Sequence, residues 1–193
     1  MKKNIGIVLK KYHPFKKTIS ILDKILGKIN CIPKSQDLAL GSLISYTIAK
    51  KKHLYFLENM EILDIPFKAA ISDIVFFHHV LELCDHFIPI ECPSRNIFIL
   101  VQNLYFSANM IQYNSDRKLF LFKLLVVLGM YPEDAKFQTP YLHNLATKSI
   151  DTIISKNLHL EGEKEIDSWL HCCIAMQPEF SNFKTIKYLY KNK

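Results

Sequence analysis

Apolar residues fall along this chain in two different rhythms. Over the first 65 residues they come in short runs closed by turn residues. Ile5–Leu9 is apolar and β-branched, and Thr18–Leu26 alternates in part. Gly27 and Lys28 turn the chain into Ile29–Ile32, which stops at Pro33. Beyond a polar loop at Lys34–Asp37, Gly41 opens Leu43–Ala49, where Leu43, Ser45 and Thr47 alternate with Ile44, Tyr46 and Ile48. Lys50–Lys52 makes the next turn, into His53–Leu63. Five short strands at this spacing predict a small barrel or sandwich.

From Phe67 the period becomes helical. Ala69–Ile88 sets Ile74, Phe77, Val80, Leu81, Cys84 and Phe87 about one turn apart and ends before Pro89. A second helix is expected from Pro93–Ser94 to about Gln112. Asp116 is placed to cap a third, Arg117–Leu128, stopped by Gly129 and Pro132. Thr139-Pro140 opens a fourth, with Pro140 at the first helical position. Glu163–Met176 and Phe180–Tyr190 complete the set. The expectation is an α+β chain: strands over residues 1–66, a boundary at Pro66, and an all-helical domain over residues 67–193. No internal repeat or low-complexity tract interrupts it.

Composition narrows the class. With 49% hydrophobic and 22% charged residues the chain can bury a core, and only 5 glycines argue against glycine-rich phosphate loops. Its longest apolar stretches, Ile97–Ile111 and Leu119–Met130, are broken by Gln102, Asn103 and Lys123. Both fall short of the roughly 18 to 20 residues that span a bilayer. Ile5–Leu9 is too short for a signal-peptide core, so a cytoplasmic protein is expected. Cys31, Cys84, Cys92, Cys172 and Cys173 are odd in number and contain no Cys-x-x-Cys pair, which predicts reduced thiols.

Charge then changes the picture. The net charge is +7, yet residues 1–68 hold thirteen lysines against five acids, whereas residues 69–193 hold twelve basic and thirteen acidic residues. The whole basic excess lies in the strand-forming third. That asymmetry points to a polyanionic partner for that part, against the plainer reading of a lysine-rich solvated surface.

Catalysis has little support. No Gly-x-Ser-x-Gly, P-loop, dinucleotide fingerprint or His-Glu-x-x-His is present, and no residue stands out as a nucleophile. No cofactor is implied. His78, Glu82, Asp85 and His86, with His79 and Cys84 beside them, could line one helical face as metal ligands. The favoured reading is a polar outer face opposite Phe77, Val80, Leu81 and Cys84, with no metal.

Four segments in order resemble the bacterial DNA repair and recombination mediator family RecO. Gly6-Ile7-Val8-Leu9 with Ile19–Leu26 and Gly27-Lys28-Ile29 resembles its first three strands. Phe76–Leu83, with Glu82-Leu83, resembles the start of its helical domain. Leu119–Leu125 followed by Leu128-Gly129-Met130-Tyr131-Pro132 is similar to its Phe-rich helix ending in Leu-Gly-Tyr-x-Pro. Phe183–Leu189 resembles its closing Leu-Lys-Ser-x-x-x-Leu. Two features depart from the family. Phe137 stands where a zinc-binding cysteine is usual, and the basic segment after the third strand shrinks to Lys34-Ser35-Gln36.

The resemblance implies an N-terminal five-stranded OB-fold barrel followed by a helical domain. It also implies a non-catalytic protein that binds single- and double-stranded DNA, anneals complementary strands and helps load recombinase onto strands coated by single-stranded-DNA-binding protein. Its partners would be the RecR protein and the acidic, aromatic-ended tail of that single-strand binder. Arg117, Lys118 and Lys123, beside Phe120 and Phe122, are candidate receivers of the tail. OB-folds bind nucleic acid across strands 2 and 3 and with the loops joining strands 1–2 and 4–5. Those loops are Lys10-Lys11-Tyr12-His13-Pro14-Phe15-Lys16-Lys17 and Lys50-Lys51-Lys52-His53. The candidate contacts are therefore Lys10, Lys11, Tyr12, Phe15, Lys16, Lys17, Lys28, Lys34, Lys50, Lys51 and Lys52, cations for phosphate and rings for bases. The alternative is a protein-interaction scaffold that keeps the fold with weak or no DNA binding. A small enzyme is a more distant one.

Overall fold

Asp23 ends the second strand by chemistry rather than by composition. Its buried Oδ1 accepts the backbone N–H groups of Ile25 and Leu26, both at 2.7 Å, so these residues leave the ladder. Gly27, at φ +78°, then reverses the chain. The strand therefore closes at Asp23, short of the expected Leu26.

The computed structural model describes residues 3–12, 17–34, 38–52, 54–106, 114–132, 134–148 and 163–177. Its strands are β1 (Asn4–Lys11), β2 (Ile19–Asp23), β3 (Gly27–Pro33), β4 (Leu43–Lys51) and β5 (Leu54–Asp64). They form a closed barrel in the order β1-β2-β3-β5-β4. Every pairing is antiparallel except that of β3 with β5. Period-two alternation fills the interior with Val8, Ile19, Ile21, Ile29, Cys31, Ile44, Tyr46, Tyr55 and Leu57, and Leu38 from the connection before β4 joins them.

The opposite face of β1 and β2 is buried as well. Ile7 and Leu22 pair in register and are both fully buried, because helix α1 (Phe67–Phe87) packs against β1. That helix restarts at Asp73, whose backbone is non-helical and whose Oδ1 accepts Phe76 N–H at 2.9 Å. Ile74, expected on the buried stripe, is instead half exposed, since it opens the restarted helix. Beyond it Phe76, Phe77, His79, Val80, Leu81, Leu83 and Cys84 are all buried. Helix α2 is Arg95–Phe106, where Tyr105 stacks edge-on against Phe77 and donates its hydroxyl to the Gly41 carbonyl.

The strands end just before Pro66, but the division into compact units comes later. One unit is Met1–Phe106 and the other Ser107–Lys193, so α1 and α2 belong with the barrel. In the second unit, α3 (Asn114–Val127) holds Asp116 inside its first turn rather than at its cap. Its end is a Schellman motif: Gly129 at φ +79°, with Gly129 N–H on Val126 and Met130 N–H on Leu125. Thr139 caps α4 (Pro140–Thr147), its hydroxyl accepting Leu142 N–H. Helix α5 is Glu163–Ala175. The expected helix at Phe180–Tyr190 lies outside the described residues. Among the described residues no helix is long and apolar enough to cross a membrane.

Candidate nucleic-acid interface

One cross-strand row organises the basic end of the barrel. Lys11 pairs with Ile19, Ile19 with Cys31, Cys31 with Tyr55 and Tyr55 with Lys50. The end of β1 and the end of β4 are therefore linked by one row of ladder partners running through β2, β3 and β5. Along this row they are four strand spacings of roughly 4.8 Å apart, about 19 Å. Lys51 pairs with Leu54, leaving a two-residue turn in which Lys52 takes φ +55°.

Of the expected contact residues, Lys10, Lys11, Lys17, Lys34, Lys50, Lys51 and Lys52 are exposed at or near this rim. Tyr12 is half-buried, with Lys10 over its ring at 5.3 Å, and burial raises its pKa. Phe15 and Lys16 lie outside the described residues. Two rings of β5 hold lysines. Lys50 Nζ sits 4.6 Å from the Tyr55 ring centre and donates to its hydroxyl at 2.9 Å, while Lys51 lies 5.7 Å from the Phe56 ring centre. These rings orient ammonium groups; the rings expected to stack on bases were Tyr12 and Phe15, not Tyr55 and Phe56.

Lys28 does not belong to the open rim. Only 9% exposed, it points to the outer face that α1 covers, and its Nζ donates to the Asp85 carbonyl at 2.5 Å. Desolvation lowers its pKa, with the nearby Asp85 carboxylate acting in the opposite direction. Ser20 and Leu22 on the neighbouring strand are fully buried too, so the strand 2–3 surface is closed at these positions.

The rim lysines have carboxylate neighbours that sequence reading did not anticipate. Lys10 Nζ is 3.2 Å from Asp85 Oδ2, Lys50 Nζ is 3.3 Å from Glu91 Oε1, and Lys34 bonds Glu58. Lys34 holds the Glu58 carboxyl below its ordinary pKa. Asp85 was expected on a polar outer face of its helix, but its side chain is mostly buried toward the barrel. His78 and His86 are exposed, whereas His79 is buried with Nδ1 3.7 Å from Glu82. Among the described residues no group of three or more His, Cys, Asp or Glu side chains is placed to hold a metal ion.

In the second unit, the candidate tail receivers are built into the helices. Phe120 and Phe122 are core residues, with Phe122 4.5 Å from the Trp169 ring. Lys118 bridges to Asp167 of α5 at 2.9 Å, and Lys123 Nζ donates to the Ala146 carbonyl at 2.5 Å. Arg117 is half-buried at the start of α3. A cleft of about 750 Å³ lies elsewhere in this unit, between Lys136–Phe137 and the α5 face carrying Lys164, Ser168, His171 and Cys172.

No protein-family model matches the chain, and no curated protein matches it in sequence.

Proposed function

We propose that this is a non-catalytic nucleic-acid-binding protein whose N-terminal barrel is an OB-fold gripping phosphate backbones with its lysine rim. The reading of the barrel is supported by strand order and direction: a β1-β2-β3 meander, a parallel β3–β5 step, and closure of β4 on β1. The observation that carries the function is the Lys11–Ile19–Cys31–Tyr55–Lys50 row. It links two separate lysine clusters, at the ends of β1 and β4, through one ladder row whose span a polyanion can bridge. With its resemblance to RecO, the chain is a recombination mediator that binds single- and double-stranded DNA. Annealing then needs no chemistry: neutralising two backbones lowers their repulsion, and base pairing supplies the driving force.

The scaffold alternative has one observation in its favour. Lys10, Lys34 and Lys50 each already face a carboxylate of the same chain. Titration of the full chain with labelled single- and double-stranded oligonucleotides across a salt series separates the readings. DNA binding gives an affinity that falls linearly in log–log form with salt. Binding that is absent at the lowest salt leaves the scaffold.

A further inference from the structure

The strand β3 is left half-unpaired by its barrel neighbour. Its pairing with β5 begins only at Cys31, so the edge at Gly27–Asn30 is open on that side. The chain leaving α1 uses part of this edge. Lys28 and Ile90 form a parallel bridge, and Glu91 N–H donates to the Lys28 carbonyl at 2.7 Å. The approach is close: a Cβ on Gly27 would lie 1.7 Å from the Cys92 carbonyl oxygen. Glu91 itself is a non-glycine residue at φ +58°, a left-handed conformation that costs energy and persists only where surrounding contacts fix it.

What this segment carries matters more than how it docks. At one end Asp85 stands on Lys10, beside the loop after β1. At the other Glu91 stands on Lys50, beside the turn after β4. These are the two lysine clusters that the ladder row links. A single stretch, Asp85 to Glu91, therefore presents one carboxylate to each of them.

We infer that the Asp85–Glu91 segment is an intramolecular acidic strap that competes with phosphate for the basic rim and so sets its affinity for nucleic acid. The inference rests on the nucleic-acid reading above. Each carboxylate must be exchanged for a phosphate when the backbone docks, so wild-type affinity is lower than the lysine count implies. The backbone contacts with β3 hold the acids in place without help from the ligand and offset the cost of the left-handed conformation at Glu91. The strap also raises the threshold for weak polyanions, which offer too few phosphates to displace both carboxylates.

The test uses the full chain and fluorescence anisotropy with a labelled single-stranded oligonucleotide at fixed low salt. Asp85→Asn and Glu91→Gln remove the two charges without changing shape. Glu61→Gln removes the same charge from an exposed acid that pairs with Lys3 instead of a rim lysine, and corrects for net charge. The strap variants should each bind about two- to fivefold tighter than Glu61→Gln, the range for releasing one ion pair. The double variant should gain more, with a salt slope steeper by up to about 0.7 for each lysine newly placed on phosphate. Strap variants no tighter than Glu61→Gln, or weaker than wild type, overturn the inference while leaving the binding function intact. Failure of wild type and all variants to bind overturns the nucleic-acid reading and the strap with it. Should Asp85→Asn fail to fold, the exposed Glu91→Gln decides alone.

Discussion

Tyr46 donates its hydroxyl to Asp23 Oδ2 at 2.5 Å inside the barrel, where both side chains are fully buried. The same oxygen accepts Asn4 Nδ2 at 3.0 Å, and Oδ1 takes the two backbone N–H groups that end β2. This carboxylate thus ties β1, β4 and the β2–β3 turn together. Gly6 is required beside it, since a Cβ there would lie 2.9 Å from the Tyr46 hydroxyl. Tyr46→Phe removes one donor from a buried acceptor and should destabilise the first unit by about 1.5–3 kcal/mol. A urea melt followed by far-ultraviolet circular dichroism checks it. A midpoint equal to that of wild type would show that the other donors suffice.

Alkaline pH should weaken the fold before neutral or mildly acid pH does. Burial pushes the Cys31 and Cys84 thiols up to about 12, and desolvation with Asp23 nearby raises Tyr46. In the unfolded chain these groups ionise near their ordinary values, about 8.5 for Cys and 10 for Tyr. The unfolded state then binds fewer protons than the native one, so stability falls as pH rises. The contribution is complete below about pH 8 and is lost progressively from about 8.5 upward. Urea midpoints across that range should decline, and Cys31→Ala with Cys84→Ala should flatten the early part of the decline.

Rim and buried lysines should separate cleanly. Lys11→Ala, Lys17→Ala and Lys51→Ala together should weaken oligonucleotide binding. Their salt slope should fall by up to about 0.7 for each phosphate of a single strand left without its lysine. Lys28→Met removes a cation that already serves the Asp85 carbonyl. It should change thermal stability and leave the slope unchanged. A flattened slope in Lys28→Met would place that residue on the ligand after all.

Much of the architecture was legible because it is local. Alternation from Leu43 onward, the Gly27 reversal, the Gly129 stop and the Thr139-Pro140 cap each need only neighbouring residues, and each element stands where its pattern predicts. The lysine clusters at Lys10–Lys11 and Lys50–Lys52 were legible for the same reason. What surrounds them was not. Asp85 and Glu91 reach Lys10 and Lys50 only through the docking of α1 and its following chain on β1 and β3. The burial of Lys28 has the same cause. Helical periodicity put Asp85 on an outer face because it weighs apolar against polar positions. It carries no signal that a polar wall of the barrel is waiting for a carboxylate. Asp73 misplaced Ile74 similarly: a side-chain cap inside the run resets the helix, and the stripe with it.

The second unit offers its own internal probe. Trp169 is the sole tryptophan, fully buried on α5 between Phe122 at 4.5 Å and Tyr131 at 5.8 Å. Its fluorescence therefore reports the packing of α3 against α5. Lys123 lies one residue from Phe122, and its Nζ donates to the Ala146 carbonyl near the end of α4. Burial lowers its pKa, as expected for an ammonium drawn partly out of water. Lys123→Met keeps the aliphatic stem and removes the charge-assisted bond, at a cost of about 1.5–3 kcal/mol. Lys123→Glu should cost more, because it sets a carboxylate against that carbonyl. Both variants should lower the urea midpoint followed by Trp169 emission. A lysine that instead served only to receive an acidic peptide would leave that midpoint at the wild-type value in both variants. Normal Trp169 transitions combined with weakened binding of an acidic, Phe-ended peptide would return Lys123 to the partner surface.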